Sequence, residues 1–230
     1  MQQLDFDSRD ALTEQLAGDI IERLAAAISD TGEAGLAVSG GRTPVDLFKA
    51  LSVADLDWSK VTITLVDERW VDPSDDDSNE KLVRTHLLQN NAVAARFIAH
   101  KSEHTTPFEA EASLNKTLAA LPEQLTVTLL GMGEDGHTAS FFPGADTLNK
   151  ALDTHNHIDC CGVVPKTAPH ARMTLTLKRI LHSDWIVLHL TGAGKKPVLD
   201  AALGDGPVVD LPVRSVLKQT LTPVSVYWAE

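Results

Sequence analysis

A histidine and an aspartate stand in a glycine-rich turn that follows an apolar run of the chain. The run LTVTLL ends at 130, and Asp135 and His137 follow it closely. Histidine has an ordinary pKa near ~6.5, so at neutral pH most histidine side chains are neutral and can accept a proton. We expect the glycines of this turn to adopt backbone angles that a side chain would forbid and to let the turn approach a ligand. These glycines are Gly131, Gly133 and Gly136. We therefore predict that His137 is a general base, and a histidine that only hydrogen-bonds its own loop is the alternative.

A second glycine turn joins an apolar run to the predicted start of a helix. The run GLAVSG at 35–40 ends in Ser39 and Gly40, and Gly41 and Arg42 follow. Unpaired backbone N–H groups and the positive end of a helix dipole meet at such a point, which suits a phosphate group. The turn lacks the longer glycine loop, ending in Lys and Ser or Thr, that defines a P-loop. We predict a phosphate-binding turn, with a plain tight turn as the alternative.

Charged residues follow two further apolar runs. Asp67 and Arg69 come directly after the run VTITLV, and Lys195 lies in the turn after the run DWIVLHLT. Arg172 belongs to the segment PHAR that precedes the second of these runs. Arginine and lysine at fixed positions supply the positive charge that an anionic substrate requires. We predict that these side chains line the same site, and exposed surface charges or surface ion pairs are the alternative.

Apolar runs that indicate buried strands alternate along the chain with amphipathic segments that indicate helices. Strands are predicted at 35–40, 61–66, 125–130, 184–191 and 225–228, and helices at 8–28, 44–51, 79–89, 107–121 and 196–203. This alternation predicts an α/β fold with a mostly parallel, twisted sheet and helices on both faces. Because the carboxyl ends of parallel strands lie at one edge of a sheet, we expect the turns described above to meet there, where ligands bind in such folds.

Two of the predicted helices begin with the same signature. Thr43 and Thr106 are each followed by proline and, three residues after the threonine, by an acidic residue. A threonine side chain can accept a backbone N–H at a helix start, and proline is well tolerated in the first turn. We therefore expect both threonines to cap their helices.

The turn at 131–136 also matches the dinucleotide-binding pattern G-x-G-x-x-G after a strand. In that fold a helix begins within the pattern and continues for several turns. Here the residues Phe141, Phe142, Pro143 and Gly144 would end such a helix almost at once. The sequence therefore does not predict a dinucleotide cofactor.

Composition narrows the possible partners. The chain has 230 residues, 43% of them hydrophobic and 23% charged, and we predict one domain over 1–230. A formal net charge of −12 argues against binding to nucleic acid or to an anionic membrane. Small anions can still bind where cations cluster locally. The chain has no long apolar run, and its first residues lack a signal-peptide pattern, so we expect a cytoplasmic location. The adjacent Cys160 and Cys161 are expected to be ordinary buried thiols.

Together, these segments resemble the 6-phosphogluconolactonases, within the wider family that also contains the glucosamine-6-phosphate deaminases. The similarity covers nearly the whole chain. It rests on SGGRTP at 39–44, DERWVDPSDDDSN at 67–79, GMGEDGHTASFFPG at 131–144, PHARMTLT at 169–176 and TGAGKK at 191–196. The resemblance implies a Rossmann-like α/β fold. It also implies hydrolysis of 6-phospho-D-glucono-1,5-lactone in the oxidative pentose phosphate pathway, without a metal or an organic cofactor.

The resemblance also implies roles for individual residues. His137 corresponds to the general base, and Asp67 and Arg69 would belong to the same pocket. We expect either Asp135 or Asp67 to orient the imidazole of His137. The substrate phosphate would meet a cradle of backbone groups and cationic side chains, formed by Ser39, Gly40, Gly41, Arg42, Arg172 and Lys195. The resemblance leaves the oligomeric state open.

Within this family, three features favour a lactonase over a deaminase. They are the triplet Asp-Glu-Arg at 67–69, the pair Ser78-Asn79, and the phenylalanine-proline ending of the histidine turn. Two alternatives stay open. In a deaminase-like isomerase, Asp67 would abstract the C2 proton of an amino-sugar phosphate. In a sugar-phosphate sensor, the site would bind its ligand without catalysis.

Overall fold

The computed structural model describes residues 1–230 and contains ten strands and eight α-helices in chain order. The strands are β1 (Gln2–Phe6), β2 (Ala34–Val38), β3 (Val61–Leu65), β4 (Asp67–Arg69), β5 (Arg96–Ile98), β6 (Leu125–Leu130), β7 (Cys160–Val163), β8 (Arg172–Leu175), β9 (Ser183–Thr191) and β10 (Val224–Ala229). The helices are α1 (Arg9–Thr31), α2 (Val45–Ser52), α3 (Asn79–His86), α4 (Pro107–Leu118), α5 (Leu148–Leu152), α6 (Leu177–Leu181), α7 (Lys195–Leu203) and α8 (Arg214–Leu217). Every strand and helix predicted from the sequence is present, with ends that differ by a few residues.

The main sheet has seven strands in the order β1-β10-β9-β6-β2-β3-β5. All neighbouring pairs in it are parallel. Helices α1, α2 and α3 cover one face, and α4 to α8 contribute to the apolar core on the other. This arrangement confirms the predicted α/β fold. Its central strands are buried on both sides, which explains why they are almost continuously apolar in sequence.

The chain changes direction across the sheet between β2 and β6. From β2 it continues to β3 and β5 on one side, and from β6 it continues to β9 and β10 on the other. Strands β2 and β6 pair with each other, with Val38 opposite Leu129. Such a switch point leaves a crevice beyond the carboxyl ends of the two strands, because their outgoing connections diverge. The topology therefore places the two glycine turns, at 39–42 and 131–137, on either side of one crevice.

A second sheet of three antiparallel strands, in the order β4-β8-β7, was not predicted. Its strands are only three or four residues long, too short to give a clear pattern in the sequence. The pairing of β4 with β8 sets Asp67 opposite Thr174 and Arg69 opposite Arg172. The small sheet thus joins two charged segments that are far apart in sequence.

One of the two expected helix caps is present and the other is not. The Thr106 hydroxyl accepts the backbone N–H of Glu109 at 3.3 Å, and the Glu109 carboxylate in turn accepts the N–H of Thr105. By contrast, α2 starts at Val45 and no side chain caps it. The expectation for Thr43 was wrong because its hydroxyl instead lies 3.2 Å from that of Thr191, at the end of β9.

Candidate active site

A cavity of about 220 Å³ lies at the switch point, beyond the carboxyl ends of β2, β6 and β9. Most of the predicted site residues line it, namely Ser39, Gly40, Gly41, Asp67, Arg69, His137, Arg172 and Lys195. Two selected residues do not line the cavity. Arg42 is exposed at the surface of its turn, and Asp135 lies behind the imidazole of His137.

The His137 ring is held from two sides. Its Nδ1 lies 2.5 Å from Oδ1 of Asp135, and the same oxygen accepts the backbone N–H of His137 at 3.2 Å. The ring also stacks on Phe142, with 4.2 Å between the ring centroids. Burial acts to raise the pKa of the Asp135 carboxyl, but its hydrogen bond to His137 and the charge interaction outweigh burial and hold that pKa below its usual range. Asp135 is therefore ionised at neutral pH and favours a proton on Nδ1, which leaves Nε2 free to accept one.

The glycines of this turn have different roles from those expected. Only Gly136 has a positive φ, of 74°, and a Cβ there would lie 2.4 Å from the Leu211 side chain. At Gly133 the requirement is space, because a Cβ would lie 2.1 Å from Nδ1 of His137. Gly131 requires neither an unusual backbone angle nor extra space, since its φ is ordinary and a Cβ would meet no atom within 4 Å. The prediction that all three adopt unusual backbone angles was therefore wrong.

Asp67 also lines the cavity, but its carboxylate forms no hydrogen bond with the imidazole of His137. Its Oδ2 accepts the hydroxyl of Ser140 at 2.6 Å and lies 3.9 Å from a guanidinium nitrogen of Arg172. Its backbone carbonyl accepts the side-chain amide of Asn79. Because Ser140 follows the histidine turn, this carboxylate links β4 to that turn.

The neighbouring acid, Glu68, holds the start of α3 in place. Its Oε1 accepts the N–H groups of Arg69 and Asn79, and its Oε2 accepts the N–H of Glu80 and the hydroxyl of Ser78. Burial raises the pKa of Glu68, although these backbone hydrogen bonds oppose the shift. The free N–H groups at the N-terminus of a helix explain why a carboxylate is stable there.

Cationic side chains exceed acidic ones in the cavity wall. Arg69, Arg172 and Lys195 line it, against the single acid Asp67. Arg172 is only 6% exposed, and burial lowers its pKa while the Asp67 charge opposes the shift. Arg69 donates to the backbone carbonyl of Asp77 at 2.6 Å. The Lys195 ammonium has no hydrogen bond or ion pair within the chain, so the site can offer it to an anion even though the protein is acidic overall.

The 39–42 turn borders the cavity with its backbone. The Ser39 hydroxyl donates to the carbonyl of Leu129 at 2.9 Å and accepts the N–H of Gly131 at 3.2 Å, so it ties β2 to β6. A Cβ on Gly40 would lie 1.8 Å from Oδ1 of Asn79, which is why this position must lack a side chain. The turn therefore exposes peptide groups, rather than side chains, to the cavity.

Several lining residues were not selected from the sequence as site residues. They include Thr43, Asn79, Met132, His189 and Thr191. Asn79 had a signal, because it belongs to the pair Ser78-Asn79 that distinguished the two enzyme types. Thr43 and Met132 belong to the segments SGGRTP and GMGEDGHTASFFPG, but neither was assigned a role in the site. His189 and Thr191 had no signal, because an uninterrupted apolar strand such as β9 gives no indication of which face each residue occupies.

The structure shows no group of three or more His, Cys, Asp and Glu side chains that could hold a metal ion. Cys160 and Cys161 are both buried, and burial raises the pKa of each thiol. None of the helices has the length and apolar character needed to cross a membrane.

Comparison with known sequences gives a match over nearly the full chain. A family model described as glucosamine-6-phosphate isomerases/6-phosphogluconolactonase matches residues 7–228. The 6-phosphogluconolactonase of Rhizobium meliloti (strain 1021) is 44% identical over 224 residues, which cover 97% of this chain and 97% of the relative. That of Mesorhizobium japonicum is 46% identical over 224 residues, covering 97% of this chain and 93% of the relative.

Comparison with solved structures agrees with the comparison of sequences. The crystal structure of a 6-phosphogluconolactonase from Shewanella baltica OS155 superimposes with a TM-score of 0.98 at 44% identity, covering 100% of this chain and 98% of that one. A monomeric glucosamine-6-phosphate deaminase also shares the fold, with a TM-score of 0.80, but at 18% identity this likeness concerns the fold alone. The fold is therefore common to both kinds of enzyme, and the residues of the site must separate them.

Proposed function

The chain belongs to the glucosamine-6-phosphate isomerase/6-phosphogluconolactonase family, and from this premise we infer that it hydrolyses 6-phospho-D-glucono-1,5-lactone to 6-phosphogluconate. This is a reaction of the oxidative pentose phosphate pathway. The observation that carries the inference is that His137, with its Asp135 partner, borders the same cavity as the 39–42 turn, Arg172 and Lys195. One sugar phosphate could therefore contact a base and a cationic site together.

His137 is proposed as the general base. A lactone is an activated ester, so its hydrolysis needs chiefly a more nucleophilic water. Neutral His137 would take a proton on Nε2 as the water attacks C1. The resulting imidazolium, stabilised by the Asp135 carboxylate, would then give that proton to the ring oxygen as the C1–O bond breaks. The products are the open-chain acid and a histidine returned to its neutral state.

The phosphate is proposed to bind at the other end of the cavity. Peptide groups of the 39–42 turn lie beside the start of α2, where a helix dipole favours an anion. Lys195 has no partner within the chain, and Arg172 is held in place by a hydrogen bond to the carbonyl of Pro169. A charge-assisted contact from each would fix the phosphate and set the distance from it to His137.

Asp67 is proposed to act on the site rather than on the substrate proton. Its oxygen is already engaged by Ser140 and faces Arg172, so it orients the guanidinium and steadies the histidine turn. Arg69 is proposed to contact the sugar acid. Arg42 is exposed, so any part it plays in binding phosphate would come through its backbone N–H.

The test is to follow lactone opening by proton release at mildly acidic pH, where the uncatalysed background is slow. We expect His137→Asn to lose about 10²–10⁴-fold in kcat, the usual contribution of a general base, with little change in affinity for 6-phosphogluconate. His157→Asn is a matched control, since His157 is exposed and forms no hydrogen bond through its side chain.

Each part of the proposal has its own contrary outcome. Wild-type protein that does not accelerate lactone opening would show that the assigned reaction is wrong. Near-normal turnover by His137→Asn would show that the base lies elsewhere. Release of ammonia from glucosamine 6-phosphate would instead identify a deaminase.

A further inference from the structure

A second histidine, His189 on β9, lies in the wall of the cavity and has no part in the mechanism above. It is 4% exposed and lines the cavity. Neither ring nitrogen has a hydrogen-bond partner in the chain. Nδ1 is fully buried, whereas Nε2 keeps some accessible surface. A buried imidazole without any partner is costly, because its polar groups lose water and gain nothing in return. This cost suggests that His189 has a partner that comes from outside the chain.

The neighbouring strand leaves room for this ring. Leu188 pairs with Leu130 in the parallel register of β9 and β6, so Gly131 comes beside His189. Gly131 also lines the cavity, and a Cβ there would meet no atom within 4 Å. The missing side chain therefore opens the space next to the imidazole.

His189 faces the part of the cavity opposite the proposed base. Side chains alternate along a strand, and Val187 packs in the core cluster on the α1 and α2 side of the sheet. Thr191 shares that side, and its hydroxyl lies 3.2 Å from that of Thr43 in the turn before α2. The Phe142 ring beneath His137 belongs to the cluster on the other face. The two histidines therefore approach the cavity from opposite sides of the sheet.

The chemical state of His189 suits a hydrogen-bond donor to an anion. Burial lowers its pKa to about 4, so at neutral pH the ring is uncharged and carries one N–H. A proton on the accessible Nε2 leaves only a lone pair at the buried Nδ1. An uncharged donor adds a directed contact to a site that Lys195 and Arg172 already make positive.

We propose that His189 is a specificity residue for the phosphate group, donating its Nε2–H to a phosphoryl oxygen of the substrate beside Lys195 and the 39–42 turn. This proposal rests on the proposed function for the identity of the substrate. Its consequence is that His189 contributes to binding and to the choice of a phosphorylated over an unphosphorylated lactone, and contributes little to the chemical step.

The test compares three substitutions at this position. His189→Leu removes the donor, His189→Gln keeps an amide N–H near the place of Nε2, and His189→Asn moves it back toward Nδ1. We expect His189→Leu to raise KM by roughly 10- to 150-fold, the effect of losing one hydrogen bond to a charged group, with kcat changed by less than about threefold. His189→Gln should recover most of the loss, and His189→Asn should not.

Binding of inorganic phosphate gives a readout that does not depend on activity. Titration calorimetry should show weaker phosphate binding by His189→Leu, in the same proportion as the rise in KM. In the wild type, the histidine side-chain NMR signal that His189→Gln removes should shift as phosphate is added. Phosphate affinity equal to that of the wild type in a folded His189→Leu protein would overturn the proposal.

Two further results would also decide the matter. If His189→Leu does not fold, equal phosphate affinities of His189→Gln and His189→Asn would overturn the proposal, and tighter binding by His189→Gln would support it. Failure of the proposed function is separate, because it would appear as wild-type protein that leaves the lactone unopened, whatever its affinity for phosphate.

Discussion

Oδ1 of Asp135 lies 2.5 Å from Nδ1 of His137, within the same glycine-rich turn. This contact answers the question of which acid accompanies the histidine. Asp67 is the other candidate, but its carboxylate accepts the Ser140 hydroxyl instead. The proposed base and its proposed orienting acid therefore come from one short segment, two residues apart. The proposed phosphate site instead combines separate parts of the chain, namely the 39–42 turn, Arg172, His189 and Lys195.

Asp135→Asn tests the role of this pair. An asparagine amide can donate to Nδ1, which places the imidazole proton on Nε2 and removes the lone pair that would accept the proton of water. We expect kcat to fall by on the order of 10²–10⁴-fold, with unchanged affinity for 6-phosphogluconate. Asp135→Ala, which loses the contact but does not impose the wrong tautomer, should fall less. Steady-state kinetics of the three proteins measure this, and an Asn variant as active as the wild type would exclude the pair from the mechanism.

The adjacent lysines provide a matched test of the anion site. Lys195 lines the cavity without a partner, whereas the Lys196 ammonium bonds to Asp5 at 3.1 Å and lies over the Trp228 ring. We expect Lys195→Met to raise KM by roughly 10- to 150-fold with a smaller change in kcat, because it removes a charged contact made in both the ground and transition states. Lys196→Met changes the overall charge equally and should leave KM as it is. Equal effects of the two substitutions on KM would mean that the lysines act only through the overall charge of the protein.

Two glycines of the histidine turn should respond differently to alanine. Gly136 has a φ of 74° and a Cβ there would collide with Leu211, so Gly136→Ala should lower the free energy of unfolding by at least about 1 kcal/mol. Gly131→Ala should be as stable as the wild type, because its φ is ordinary. It should raise KM instead, since the new methyl group enters the cavity. Urea unfolding and steady-state kinetics measure the two effects, and a large loss of stability in Gly131→Ala would contradict this account.

Two buried histidines should make the folded protein less stable in mild acid than at neutral pH. Burial lowers the pKa values of both His100 and His189 to about 4, and the charge of Asp67 only partly opposes this at His100. Between the ordinary histidine value and the folded value, the unfolded chain binds more protons than the folded one. Stability must therefore fall as pH decreases through that window, by up to on the order of 3 kcal/mol for each histidine.

Denaturant unfolding at pH 7 and pH 5 measures this dependence. In His100→Gln the side chain cannot titrate, so the difference in stability between the two pH values should be smaller than in the wild type. His157→Gln is the control, because His157 is exposed and its side chain forms no hydrogen bond. The same pH dependence in His100→Gln and the wild type would show that His100 is not held neutral by burial.

Local sequence was sufficient to predict the main framework of this protein. The strands that became β2, β3, β6 and β9 are short apolar runs, and burial on both faces of a parallel sheet requires that pattern. The start of α4 followed from Thr106 and Pro107, because a cap acts within one turn of the chain. The gathering of turns at one edge also followed, since parallel strands all point their carboxyl ends the same way.

The tertiary structure alone decided how the side chains are paired. The small sheet that brings Arg69 opposite Arg172 joins segments about a hundred residues apart, and no local pattern specifies that register. For the same reason, no local pattern showed that Glu68 holds the start of α3 while its neighbour Asp67 lines the cavity. The face of the sheet that a strand residue occupies depends on how the strand packs in the fold. The position of His189 in the cavity wall therefore follows only from the pairing of β9 with β6.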